Sequence, residues 1–332
     1  MKRVFLLVSL LLCLLCAACS ALPAEERSFV VALGVSGGEG SWTLHARVPT
    51  YQSGGGYLTV TGRGDSLPHA LAALDAAAPM QLHPGQARLV IVSADTAWSA
   101  DFPKVLTWLA TWRELRPAAC LAVTEDDMAG LMDVLTPSAG TRLSKSLDVL
   151  IATRLQQGVI PDSALAEVLC MGERQSTVLL NAAIGEESVA LSGGWPVVAD
   201  GLAAASPLAP DQLQLLSLMQ GRLKQGTLSL PEGAVRLTGA SADLSLSMPT
   251  LQSATVRLVL QTASAPLTAQ ELSRVVAASC LSLLNRLSAM GCDVLGLGHE
   301  AICHVNDMDA WHALNWPERL RAVEWAVSVG AE

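Results

Sequence analysis

A thiol stands at position 19 directly after two small residues, in Cys16-Ala17-Ala18-Cys19, and an apolar stretch from Val4 to Ala18 leads up to it from Met1-Lys2-Arg3. A charged start, a short apolar core and a small-residue cut site make residues 1–18 a secretory signal peptide. The stretch of about 15 apolar residues falls short of the roughly 20 that a helix needs to cross a ~30 Å hydrocarbon core. A cysteine placed first after the cut is the acceptor that lipoprotein processing requires, because its thiolate takes up the diacylglyceryl group. Lipidation at Cys19 is the expectation, with Cys16 where that signal usually carries Leu. Cleavage after Ala18 by the general signal peptidase would instead leave a soluble chain.

Other side chains are spaced as if for chemistry, and each has a plainer reading. His299-Glu300-Ala301-Ile302-Cys303-His304 is one residue away from the zinc-protease pattern H-E-x-x-H, with Cys303 in place of the second His. Cys292, His299, Cys303, His304 and His312 could in principle supply four tetrahedral ligands. A short helix after a glycine turn, its polar residues in solvent, explains them as well, and no metal is expected. Ser36 completes a literal G-x-S-x-G in Gly34-Val35-Ser36-Gly37-Gly38. A nucleophile elbow needs a helix after the turn, whereas a returning strand is expected here. Gly34, Gly37, Gly38 and Gly40 lack the Lys-Ser/Thr and the helix of a phosphate loop. Arg63-Gly64-Asp65 spells an adhesion tripeptide and reads as a turn with a helix cap. No catalytic residue and no cofactor is expected.

Charge narrows the partners. Loss of Lys2 and Arg3 with residues 1–18 leaves 19 basic against 30 acidic side chains, a net charge of −11 with His neutral. Such a balance repels nucleic acid and anionic headgroups, so membrane attachment should rest on acyl chains. Aromatic residues make up only 4% of the chain, which argues against a stacking platform for single strands or sugars. Beyond Cys19 the cysteines are Cys120, Cys170, Cys280, Cys292 and Cys303. They are odd in number, far apart and without C-x-x-C spacing, so they make no disulfide framework. Most read as small buried hydrophobes. Their pairing stays open, and Cys292 with Cys303 is the pair to follow.

The elements that must carry these residues are set by periodicity. Ser28–Ser36 and Ser41–Pro49 form a hairpin about the turn at residues 37–40, with Trp42, Leu44, Ala46 and Val48 on one face. After a loop at Gly54-Gly55-Gly56 comes strand Tyr57–Thr61. A turn over Gly62–Ser66 then leads into a helix capped by Asp65 or Ser66. Strands Arg88–Ser93 and Ala118–Thr124 alternate with helices Phe102–Glu114 and Glu125–Val134, which is α/β order. Helices Lys145–Gln157 and Asp162–Val168 come next, the second opened by Pro161 and Asp162. A boundary is expected near Gly185-Glu186-Glu187, between runs Ser176–Ile184 and Ser188–Ser192. Beyond it Thr227–Leu230, Ala234–Met248 and Ala254–Thr262 alternate polar with apolar, as in an antiparallel sheet with one wet face. Thr268 and Glu271 make a capping box for a long helix over residues 268–290, with Leu272, Val275, Val276, Ser279, Cys280, Leu283, Leu284 and Leu287 on one stripe. A last strand spans Arg321–Val329. The fold class is mixed α/β to α+β in two parts: an α/β region over 19–185, with room for two subdomains, and an antiparallel sheet packed by a long helix over 186–332.

Met290-Gly291-Cys292-Asp293-Val294-Leu295-Gly296-Leu297-Gly298, with Trp311, Asn315-Trp316 and a final strand ending at Val329-Gly330 after it, resembles the Ger(x)C family of spore germination lipoproteins. The same resemblance extends to residues 189–226, to Val31-Ala32-Leu33-Gly34-Val35, and to Gly62–Ala78 with Arg88–Ser93. Two features depart from it. Ser20-Ala21-Leu22 replaces a Trp-Asp pair, and Leu295 and Leu297 stand where an aromatic is common. Asp293, Gly296 and Gly298 form its signature turn: glycine admits positive φ, Asp293 can cap the segment after it, and Leu295 and Leu297 can reach the core. The resemblance implies the C subunit of a germinant receptor on the outer face of the spore inner membrane. It also implies two integral membrane partners, the A and B subunits, and a binding and scaffolding role that couples nutrient sensing to germination. A small-molecule germinant is a further ligand that it allows. The competing readings are a substrate-binding lipoprotein of a transporter, which needs two similar lobes about a hinge, and an exported hydrolase.

Overall fold

The computed structural model describes residues 26–50, 56–137, 140–169, 176–198, 201–248, 250–305 and 307–332. In the first part, strands β1 (Arg27–Phe29), β2 (Ala32–Gly38), β3 (Ser41–Thr50) and β4 (Gly56–Gly64) precede helix α1 (Leu67–Ala77) and β5 (Gln81–His83). Then come β6 (Leu89–Ser93), α2 (Ala94–Trp98), α3 (Phe102–Thr111), β7 (Cys120–Thr124), α4 (Met128–Asp133), α5 (Leu143–Gln156) and α6 (Leu165–Leu169). Strands β8 (Ser176–Ile184), β9 (Val189–Val198) and β10 (Gly201–Leu202) complete it. Eight strands form one sheet in the order β10-β9-β8-β7-β6-β2-β3-β4, parallel through β2, β6, β7 and β8 and antiparallel toward both edges. Each face is clad. Phe102, Val105 and Leu109 of α3 join Leu74 of α1 over one side, and Leu131 of α4 with Leu147 and Ile151 of α5 lie over the other.

Several expectations shift by a few residues, each for a local reason. Trp42, Leu44, Ala46 and Val48 are buried together on β3, as their alternation requires. The first strand of the expected hairpin breaks at Val30-Val31, where Val30 N–H donates to the His83 carbonyl and Val31 N–H to that of Arg47. Residues 27–29 therefore leave to pair in parallel with β5 in a two-stranded sheet of their own. Gly62 and Gly64 belong to β4 and not to a turn, because α1 lies against them: a Cβ on Gly62 would sit 2.2 Å from the Leu74 amide nitrogen. Ser66 is the cap, its hydroxyl accepting from His69 N–H. Asp127 caps α4 by accepting from Gly130 N–H at 2.8 Å, which starts that helix at Met128. Pro161 and Asp162 do not open a helix. Leu121 N–H donates to the Ser163 carbonyl and Leu165 N–H to that of Ala119, so this stretch runs extended along β7 before α6 begins.

The boundary expected at Gly185-Glu186-Glu187 falls in a hairpin turn. Strands β8 and β9 are antiparallel neighbours from Ser176↔Val198 to Ile184↔Val189, so the first sheet runs on to Leu202. After it come α7 (Pro210–Met219), β11 (Gly226–Leu230), β12 (Gly233–Leu246), β13 (Ser253–Ser264), α8 (Ala269–Ala289), α9 (Leu297–Ile302), α10 (Met308–Leu314), α11 (Trp316–Arg321) and β14 (Glu324–Ala331). The second sheet has the order β11-β12-β13-β14. It is not wholly antiparallel: β14 pairs with β13 in parallel, reached by a crossover through α8 to α11. Helix α8 opens on the Thr268/Glu271 capping box and buries Leu272, Val276, Cys280, Leu283, Leu284 and Leu287 with the inner residues of β11, β12 and β13. Val275 and Ser279 lie at the margin of that stripe.

Candidate functional site

The turn after α8 joins the two parts of the molecule. The helix ends at Met290, Gly291 reverses the chain at φ +74, and Cys292 and Asp293 are carried inward. Gly296, at φ +79, closes the turn and starts α9. Asp293 is only 4% exposed. Its Oδ1 accepts from Leu297 N–H at 2.9 Å, and its Oδ2 accepts from Gly298 N–H and from Trp316 Nε1–H, the latter at 2.9 Å. A Cβ on Gly298 would lie 2.8 Å from Trp316 Nε1 and 3.0 Å from Asp293 Oδ2, so only glycine fits that cradle. Trp316 stacks on Trp311, Leu297 is fully buried and Leu295 partly so. Burial raises the Asp293 carboxyl above the ordinary carboxylate range, and the N–H donors pull it back only in part.

The Asp293 backbone reaches the first sheet. Its N–H donates to Ser176 Oγ at 2.6 Å, across 117 residues of sequence, and Gln220 Nε2–H holds the Val294 carbonyl at 2.8 Å. Close by, the buried Gln214 donates to the carbonyls of Gln157 and Thr227 and accepts from Ser229 N–H. Arg222 pairs with Asp162 at 3.3 Å. Around these contacts opens a cleft of about 350 Å³, with Ile160, Asp162, Ser217, Gln220, Leu295 and His299 in its wall. Its polar groups can bind and orient. The hydroxyls of Ser176 and Ser217 in its wall bond to backbone groups, the first accepting from Asp293 N–H and the second donating to the Gly158 carbonyl.

A second buried tie lies within the first part. Arg47 on β3 is 6% exposed and spends its guanidinium on the Leu135 and Asp133 carbonyls, Thr59 Oγ1 and the Asp133 carboxylate. The Tyr57 hydroxyl beside it accepts from Leu143 N–H at 2.7 Å, fixing the start of α5. Sequence reasoning passed over Arg47, Asp133, Ser176 and Gln214. The signals were slight: an Arg among apolar residues on an inner strand, and a Gln inside an apolar helix.

The remaining candidates are scattered over the molecule. Cys19 and Cys170 lie outside the described residues. Cys120, Cys280, Cys292 and Cys303 are free thiols. Burial pushes Cys120 up to about 11 and Cys280 and Cys292 up to about 12, so these stay protonated, while Cys303 is exposed. The pair Cys292 and Cys303 is thus split between core and surface. His299 sits on α9 and His312 on α10, and among the described residues no three His, Cys, Asp or Glu side chains converge on a metal position. Ser36 lies within β2, its hydroxyl donating to the Thr43 carbonyl across the hairpin, so no elbow forms. Asp65, of Arg63-Gly64-Asp65, holds the His69 ring. No helix of the described residues is long and apolar enough to cross a membrane.

Residues 21–179 match the family described as the spore germination protein N-terminal domain. The fold is similar to that in the solved structure titled "Crystal Structure of the GerBC protein", with a TM-score of 0.55 at 13% identity over 91% of this chain and 97% of that one. No curated protein matches.

Proposed function

We propose that this chain, whose residues 21–179 match the spore germination protein N-terminal domain, is a Ger(x)C-family protein and the C subunit of a spore germinant receptor, tethered to the outer face of the spore inner membrane through Cys19. The observation that carries this reading is the germination-protein domain over residues 21–179, continued by a GerBC-like fold across nearly the whole chain. The role is binding and scaffolding. The fold offers ties between two sheets and a joint that carries contacts from one to the other, so a partner bound to one part is linked to what the other part touches. The partners are two integral membrane subunits, A and B, and this subunit helps couple nutrient sensing to germination.

Deleting the gene in a strain without a redundant receptor is expected to abolish the nutrient response, and an unchanged response overturns the reading. Affinity capture of the lipidated protein from membranes should bring down the two integral subunits; a permease with its ATPase would point to a transporter instead. The tether is tested separately, by the mass of the mature amino terminus: a diacylglyceryl group on Cys19 is expected, and an unmodified Cys19 removes the anchor.

A further inference from the structure

Helix α5 presents a face unlike the rest of this acidic chain. Between Val134 and Pro161 the sequence holds Arg142, Lys145 and Arg154 but a single acid, Asp148. That acid is half-buried and paired, with Arg88 at 2.6 Å and Arg116 at 3.8 Å. Arg142, Lys145 and Arg154 are exposed, and no carboxylate lies within ion-pair distance of them among the described residues. Arg142, Lys145 and Val149 succeed one another at spacings of three and four, so they share one side of the helix. Val149 is 52% exposed at its centre, and Lys145, Val149, Thr153 and Arg154 line one shallow groove. A basic strip around an apolar residue is the pattern that suits an anionic lipid surface, where headgroup phosphates meet cations and a side chain dips below them.

The tether leads to the same end of the molecule. Arg88, which holds Asp148 in the middle of α5, also donates its N–H to the Val31 carbonyl, and Val31 is five residues from Glu26. Glu26 is the seventh residue after Cys19, a reach of at most about 25 Å even if fully extended. An acyl chain on Cys19 therefore holds this end of the first sheet close to the bilayer.

We infer that the exposed face of α5, with Arg142, Lys145 and Val149, rests on the anionic phospholipid headgroups of the membrane to which Cys19 is tethered. The chain's net negative charge repels that surface, so the basic face sets which side turns toward it. This inference rests on the lipid-anchor reading for its geometry, yet its test does not need the lipid. Mature chain carrying Cys19→Ser is floated with vesicles of phosphatidylcholine alone or mixed with phosphatidylglycerol. Partition onto the mixed vesicles is expected to exceed that onto phosphatidylcholine at least ~10-fold in about 0.05 M salt and to collapse in about 0.5 M. The R142E/K145E variant should lose that preference, while R236E/R257E, at exposed positions of the second part, keeps it; near-ultraviolet circular dichroism confirms that both are folded. Equal partition of wild type onto the two vesicles overturns the inference. So does a phosphatidylglycerol preference that survives the α5 substitutions, or one lost equally in the control. If Cys19 proves unmodified in cells while the preference stands, the anchor fails and the surface does not.

Discussion

Strand β7 at the centre of the first sheet is buried at each of its five residues, whereas β13 inside the second sheet is buried at alternate ones. The first sheet is clad on both faces, by α1, α2 and α3 on one side and α4 and α5 on the other. The second is packed by α8 on one face and leaves Ser241, Asp243, Arg257 and Val259 outward on the other. The first part buries Arg47 and the second Asp293, with opposite logic. Arg47 meets a carboxylate that is itself largely in solvent, so charge faces charge. Among the described residues Asp293 meets N–H donors and no cation, so dipoles offset its burial. The clad sheet and the half-open one are joined where the Asp293 N–H meets Ser176, Gln214 meets the Gln157 carbonyl and Arg222 meets Asp162.

The sharpest way to break that contrast is Asp293→Ala, which leaves three buried N–H groups without an acceptor and should cost about 4 kcal/mol of unfolding free energy in urea. Asp293→Asn probes the same group through pH. Because burial raises the folded carboxyl's pKa, its contribution is complete below the unfolded value and is lost as pH rises through the folded one. Wild type should therefore exceed Asp293→Asn in stability by most in acid, with the margin shrinking toward neutral pH; a margin that grows with pH reverses the assignment. Next in size, Leu121→Ala in the clad sheet opens a cavity and should cost about 3 kcal/mol. Arg47→Met keeps the stem but frees two carbonyls, for about 2 kcal/mol by chemical denaturation. Smallest is Val259→Ala on the open face, 44% exposed, which should stay within about 0.5 kcal/mol. A Val259 effect as large as that of Leu121 would mean that the second sheet is covered on both sides.

Legibility in the sequence tracked the range of the forces involved. The Thr268/Glu271 capping box, the inward row on β3 and the alternation of β12 and β13 are local, and each appears where its residues indicate. The reach of Asp293 to the amides just after it is local too, and could be anticipated from the Asp-x-x-Gly-x-Gly spacing. Pairing over distance could not be read. The turn glycine at 185 resembles a boundary until β8 and β9 are seen to pair, and nothing in Arg321–Val329 says that its strand runs parallel to β13. Ser176 looks like any strand serine, and only the folded chain brings its hydroxyl under Asp293.

The parallel docking of β14 also sets a schedule. Strand β13 can pair with β12 as soon as their short connection closes, but its other edge waits for residues 324–331, which arrive only after α8 to α11 have been threaded across. Closing a loop of that span is slow compared with a hairpin, and an unpaired edge is an invitation to other chains. The folding chain thus passes through an interval in which Val256, Leu258 and Leu260 lie beside an open row of amides. Crowding of refolding copies would lengthen the odds against clean maturation, so the yield of the second part should fall with protein concentration while that of the first does not.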